Sequence, residues 1–319
     1  MTWDAYYRGD GVHRAGVSLP EPPPWRTFPI RSAAAVFRPP EGLTDAVNAA
    51  LALRRPLLIT GGPGTGKSTV IEQVATELAL GPVLRWHVTS RSSLADALYR
   101  YDALGRIHAH RLRQEQARAG TGAEVDLDDI AAFLTLGPLG TALLPATRPR
   151  ALLIDEIDKA DLDLPGDLLD VLERGEFRIT ELMREEQQNA RVRTWESDVR
   201  HVVQDGHVQC TEFPFIVMTS NGEQELPAPF LRRCVRYSMP APTVELIRDV
   251  VRGHLRLDVG ESGPAAELVA DFVRRVASGE SVAVDQLLGT LHLLDGPARS
   301  EGAERERLVA LLMRDLSGA

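Results

Sequence analysis

The rhythm of hydrophobic and polar positions changes twice along the chain. Residues 1–40 show no period, and the segment 19–28 (LPEPPPWRTF) is rich in proline. It is expected to be extended, because each proline fixes its own φ and biases the residue before it away from helix. We read it as an arm packed over the neighbouring domain through Trp25 and Phe28. A recognition motif for proline-binding domains is the competing reading. From residue 41 short apolar runs alternate with helical periods. The runs at 56–60 (PLLIT), 83–89, 151–155 (ALLID), 213–220 and 234–239 predict five strands. After the first of them Val70, Ile71, Val74, Ala75 and Leu78 fall on one helical face. Strands alternating with helices predict an α/β fold whose mainly parallel sheet is covered on both faces.

After residue 240 the pattern is purely helical, with segments near 243–256, 264–277, 283–294 and 301–315. Two stretches interrupt the alternation before that point. Residues 90–149 are too long for one crossover and contain RLRQEQARAGTGAEVDLDD, whose middle is expected to be a mobile loop. Residues 175–211 read as a β insertion made of FRIT, RVRTW and HVVQDGHVQ. Within it Asp205–Gly206 between alternating residues is a two-residue hairpin signal. The expected domains are an arm at 1–40, an α/β domain at 41–240 with insertions at about 90–149 and 175–211, and a small all-α domain at 241–319.

Composition narrows the function classes. A chain of 319 residues with 44% hydrophobic and 25% charged residues is an ordinary globular protein of roughly two domains, not a disordered one. No apolar run approaches the roughly 20 residues of a membrane helix; the best, 131–146, is broken by Gly137, Pro138 and Gly140. The start, MTWDAYYRGDG, lacks the basic end and apolar run of a secretory signal. Two cysteines, Cys210 and Cys234, make no disulfide framework. A cytoplasmic location and reduced, packed thiols are therefore expected. The net charge of −9 argues against a general affinity for nucleic acid. His108 and His110 lack the acids or cysteines that would complete a metal site. Of 36 cationic residues only Lys67 and Lys159 are lysine, and both lie in the segments that carry chemistry.

The first such segment is Gly61-Gly62-Pro63-Gly64-Thr65-Gly66-Lys67-Ser68, which fits G-x-x-x-x-G-K-[ST] between a predicted strand and a predicted helix. Glycines in this setting let successive backbone N–H groups turn inward on phosphates, and the helix N-terminus adds positive potential. Lys67 supplies a compact charge for the β and γ phosphates, and Ser68 offers a hydroxyl to Mg²⁺. The second is LLIDE, ending a buried strand on two carboxylates: Asp155 to hold hydrated Mg²⁺ and Glu156 to orient the attacking water. A third strand ends at Asn221, which either bonds the lytic water or the γ-phosphate, or simply forms the turn. Arg232 and Arg233 follow, as a solvated face or as an arginine finger.

Taken in order, GPGTGKST, LLIDEIDKAD and MTSNGE–ELPAPFLRRC resemble the AAA+ ATPases, and specifically their MoxR-like branch. DLPGDLLDVLERGEFRI and LGPLGTALL are similar to segments of the same branch. The resemblance covers about 41–240 closely and the helical part loosely. It implies a P-loop NTPase sheet of five strands with a β-hairpin insertion and a helical lid. It also implies a ring of subunits, the hexamer of that family, with ATP and Mg²⁺ bound between them. Lys67, Ser68, Thr69, Asp155, Glu156 and Asn221 match the Walker A, Walker B and sensor 1 positions, and Arg233, with Arg232 its near rival, matches the trans-acting finger. A von Willebrand factor A domain protein is the partner that the resemblance suggests. One departure stands out: the region of the sensor 2 arginine reads SVAVDQLLGTL, with no cation, so that Arg274 or Arg275 substitutes or the coupling of nucleotide to lid is weakened.

The expected function is Mg²⁺-dependent ATP hydrolysis that remodels a protein client, with the insertions at 90–149 and 175–211 as its client-facing parts. Adenine is favoured over guanine because the asparagine-lysine-x-aspartate signature is absent. A nucleotide-controlled binding switch with slow or no turnover is the alternative. A nucleic-acid motor is disfavoured by charge and by the lack of a basic-aromatic stripe.

Overall fold

The computed structural model describes residues 6–7, 9–13, 16–28, 37–119, 130–184, 188–195, 199–295 and 302–315. Its elements run α1 (Leu43–Leu53), β1 (Leu57–Thr60), α2 (Thr69–Glu77), β2 (Leu84–His87), α3 (Leu94–Leu98), β3 (Tyr99–Tyr101), α4 (Ala103–Ala119), β4 (Leu134–Leu136), α5 (Pro138–Ala142) and β5 (Ala151–Asp155). They continue with α6 (Leu164–Arg174), β6 (Glu176–Arg178), β7 (Asn189–Arg193), β8 (Arg200–Gln204), β9 (His207–Gln209), β10 (Phe215–Ser220), α7 (Ala228–Leu231) and β11 (Val235–Ser238). Four helices close the chain: α8 (Val244–Leu255), α9 (Pro264–Ala277), α10 (Val284–Asp295) and α11 (Ala303–Leu312). The backbone divides into two compact units. One holds Glu41–Thr60 and Ile71–Tyr237; the other holds Met1–Pro40, Gly61–Val70 and Ser238–Ala319.

The larger unit is built on a five-stranded sheet in the order β11-β1-β10-β5-β2. Composition explains the order. The runs LLI, ALLI and FIVM of β1, β5 and β10 are buried without interruption, as strands covered on both faces must be. β2 alternates buried and exposed positions and lies at an edge. The pairs β1–β10, β10–β5 and β5–β2 are parallel, with Thr60 opposite Ser220 and His87 opposite Asp155. Thr60, Ser220, Asp155 and His87 thus end four strands at one edge of the sheet. On the helix face, Val70, Ile71 and Ala75 are buried as the periodicity predicts, whereas Leu78 is exposed, one residue past the end of α2.

A second sheet contains the β insertion expected at 175–211, but its continuation into the first insertion was not legible in the sequence. Its order is β3-β4-β7-β8-β9-β6, so the two insertions are not separate excursions: β4 of the first pairs with β7 of the second, Thr135 opposite Arg193. The predicted hairpin is present between β8 and β9, with φ 50° at Asp205 and 65° at Gly206, the handedness that a two-residue turn needs. α5 packs closely on α3: a Cβ at Gly140 would stand 1.9 Å from the Leu98 carbonyl oxygen. In the segment 111–129, α4 runs on to Ala119; residues 120–129, which hold most of the expected loop, lie outside the described residues.

In the smaller unit α8, α9 and α10 bury Ile247, Val251, Val269, Phe272, Leu287 and Leu291 in one core. Trp25 packs on this core and meets His292 edge-on at 5.8 Å. Phe28, expected to pack beside it, is instead 72% exposed: the short 3-10 turn Pro24–Arg26 ends first, and only one aromatic side chain is turned inward. Among the described residues no helix is long and apolar enough to cross a membrane.

Candidate functional site

Within the larger unit the chemistry gathers at the carboxyl ends of β5 and β10. The β5–β10 register pairs Met218 with Ile154, which brings Thr219 alongside Asp155. The Thr219 hydroxyl donates to Asp155 Oδ1 at 2.6 Å and accepts from the Glu156 backbone N–H at 2.9 Å. One buried hydroxyl thereby orients the first carboxylate and fixes the backbone that carries the second. Glu156 itself takes φ 60° and ψ 49°, a left-handed conformation rare for a residue with a Cβ, which turns the chain sharply into the 3-10 turn Ile157–Lys159.

Three side chains surround the Glu156 carboxylate. Lys159 Nζ donates to Oε2 at 2.9 Å, His87 Nε2 lies 3.6 Å from the same oxygen, and Asn221 Nδ2 donates to Oε1 at 3.4 Å. The bond to Glu156 raises the Lys159 pKa above its ordinary value, with the nearby carboxylates adding to the shift and partial burial opposing it. Asp158 sits beneath them, 3% exposed, its Oδ2 accepting the backbone N–H groups of Asn221 at 2.9 Å and Glu223 at 3.0 Å. The turn after β5 and the turn after β10 are therefore pinned to each other twice, through Thr219 and through Asp158.

Glu156 and Asn221 are thus brought together, and Asp155 is tied to them through Thr219. Arg232 and Arg233 end the short helix α7, anchored by the fully buried Phe230. Arg233 forms an ion pair with Glu173 of α6 and donates to the Pro229 carbonyl at 3.1 Å. The bond from Arg233 holds the Glu173 carboxyl below its ordinary pKa. Arg232 is exposed and, among the described residues, in no ion pair.

In the smaller unit the loop 61–68 follows directly on the last residue of β1. Lys67 is 7% exposed, with its ammonium donating to the carbonyls of Gly61 and Gly62, both at 2.8 Å. The Thr65 hydroxyl donates to the Gly62 carbonyl at 2.9 Å, and the Thr69 N–H donates to the Gly66 carbonyl at 3.0 Å. The loop therefore curls around its own lysine. At the tip, Gly64 has φ +73°, and a Cβ there would stand 2.9 Å from the Val284 nitrogen at the start of α10. A side chain is excluded both by conformation and by the approach of that helix. Ser68 immediately precedes α2, which opens at Thr69.

The neutral segment at the start of α10 is not compensated by the arginines of α9. Arg275 donates to Glu280 at 2.6 Å and to the Met313 carbonyl at 2.6 Å, and Arg274 pairs with Asp271 at 3.0 Å. Taken by itself, the loop of the smaller unit, with its inward ammonium and serine hydroxyl, has donors that suit phosphate groups; taken by itself, the larger unit has in Asp155 an oriented carboxylate of the kind that suits hydrated Mg²⁺. Among the described residues no group of three or more His, Cys, Asp or Glu side chains makes a protein-only cage. Mg²⁺ seldom uses one, since it keeps waters and binds through one or two carboxylates and the substrate phosphates.

Sequence reasoning missed Thr219, Asp158 and His87, and singled out Lys159 by its rarity without giving it a role. Asp158 had a signal in its place within DEID. Thr219 and His87 had none, because their roles come from strand register. In comparison with known proteins, the model of the family described as AAA domain (dynein-related subfamily) matches residues 56–234. No curated protein matches the chain.

Proposed function

Since the chain belongs to the AAA domain family, dynein-related subfamily, we propose that it is a Mg²⁺-dependent ATPase of the MoxR-like branch that remodels a protein client. The observation that carries this reading is the bonded cluster Asp155–Thr219–Glu156–Asn221 at the sheet edge. It is an arrangement for holding a carboxylate and an amide where a water is to be aimed.

The roles follow from the donors present. The backbone N–H groups of Gly62 and of residues 64–69, and the Lys67 ammonium, bind the β and γ phosphates. Ser68 and Asp155 would hold Mg²⁺, which when bound neutralises phosphate charge and orients the triphosphate. Glu156 and Asn221 align the lytic water, and Arg233 or Arg232 of a neighbouring subunit meets the charge that develops on the transferred group. Such catalysis is positioning and electrostatics, with little covalent work for the protein. A finger supplied in trans requires a ring, and a hexamer is the form we propose. A von Willebrand factor A domain protein as client, a cytoplasmic location and ATP rather than GTP complete the reading.

The test is a pair of variants. Glu156→Gln is expected to bind Mg-ATP in calorimetry while phosphate release falls by about 10²–10⁴; Lys67→Ala is expected to lose the binding heat. Full turnover by Glu156→Gln, or no heat from the unaltered protein, refutes the assignment. A second reading, a nucleotide-controlled switch with slow turnover, is favoured by one observation: Arg274 and Arg275 are committed to local partners, so neither of them supplies a cation at the start of α10. Steady-state phosphate release from concentrated protein separates the two.

A further inference from the structure

The Glu156 carboxylate is held before any substrate is considered. Lys159 and His87 face one of its oxygens and Asn221 the other, at 2.9, 3.6 and 3.4 Å. The Lys159 contact is built by the backbone. Glu156 turns left-handed, one 3-10 turn follows, and the Lys159 N–H donates to the Glu156 carbonyl at 2.9 Å, so its side chain returns over the carboxylate three residues back. Burial is not what holds it there. The Lys159 side chain is 39% exposed and can swing into water with its charge solvated.

The residue type carries the argument. Every cation of the chain is arginine except Lys67, in the phosphate loop, and Lys159. A guanidinium grips a carboxylate with two parallel N–H bonds in a rigid fork, whereas an ammonium makes a point contact on a flexible stem. The chain places the more easily released cation on the carboxylate that has to be freed. We infer that Lys159 is a positioning residue that restrains Glu156 against Asn221 until substrate displaces it, and that its release contributes to the barrier of turnover. The inference rests on Glu156 as the water-orienting residue.

A restraint and a support predict opposite rank orders. If Lys159 restrains, kcat follows Lys159→Met above the unaltered protein above Lys159→Arg. Each step is about two- to fivefold, the size expected of a partly exposed ion pair, with KM and nucleotide affinity unchanged. If Lys159 merely supports the fold or assists Glu156, the arginine variant stays near the unaltered protein and the methionine variant falls. That order, or a flat one, overturns the restraint while leaving the ATPase reading intact. Nucleotide binding without phosphate release at any protein concentration overturns both. The pairing has its own readout, since ¹⁵N-lysine labelling of the full chain gives only two ammonium signals, assigned by the methionine variant. Glu156→Gln is expected to shift the Lys159 signal and quicken its proton exchange; an unmoved signal refutes the contact.

Discussion

Thr219 and Asp155 stand on adjacent parallel strands with 2.6 Å between the hydroxyl and Oδ1. The same hydroxyl oxygen accepts the Glu156 N–H, so removing it disturbs both carboxylates. Thr219→Val keeps the shape and deletes the oxygen. It leaves a buried donor unsatisfied, and we expect a loss of about 1–3 kcal/mol in denaturant unfolding. We also expect the Mg²⁺ dependence of phosphate release to move to higher concentration. An unchanged unfolding midpoint together with an unchanged Mg²⁺ profile would remove Thr219 from the cluster.

The two arginines after α7 differ in availability. Arg233 has to leave Glu173 to reach another subunit, whereas Arg232 is already exposed. If Arg233 is the finger, Arg233→Ala lowers turnover by about 10³ or more at ring-forming concentration, and Glu173→Gln raises it by freeing the guanidinium. If Arg232 is the finger, Arg232→Ala carries the loss and Glu173→Gln has little effect. Specific activity that stays constant from dilute to concentrated protein would exclude both.

Much of the α/β unit was legible because its signals are local. β5 coincides with the apolar run 151–155, and the Asp205–Gly206 turn announced its hairpin through two adjacent residues. Of the second sheet, β6 to β9 lie within the stretch read as a β insertion, whereas β3 and β4 were hidden because they are three residues each. Such strands have no period of their own, and they exist only through partners far along the chain. The cluster was half legible for the same reason. Asp155, Glu156 and Asn221 end apolar runs and could be picked out, but Thr219 and His87 acquire their roles only from the registers β10–β5 and β2–β5.

Burial pushes the Cys234 thiol up to about 12, and two nearby arginines only partly offset it. At pH 8 roughly one molecule in ten thousand carries the thiolate. Cys210 is raised as well, again mainly by burial. Iodoacetamide at pH 8 is therefore expected to leave Cys234 unmodified in the folded protein and to alkylate it on unfolding, as read by mass spectrometry. Rapid modification in the native state would contradict the packing of α7 over it.

Two histidines report on acid. Burial lowers the pKa of His254 on α8, and burial together with Arg150 lowers that of His201 on β8. Each binds its proton more readily when unfolded, so stability is full above the unfolded value of 6.5 and declines as pH falls below it. Unfolding midpoints are expected to drop between pH 7 and pH 5. His254→Gln should flatten part of that slope, and an identical slope in the variant would show that the histidine is not the cause.

The pairing of β4 with β7 makes one heritable object out of two stretches that the sequence keeps apart. Cutting out the first would strip β7 of a neighbour and bare its N–H and C=O groups to any passing strand; cutting out the second would do the same to β4. Lineages that shed this decoration are thus expected to have shed both halves at once, and a chimera that exchanges only one should aggregate.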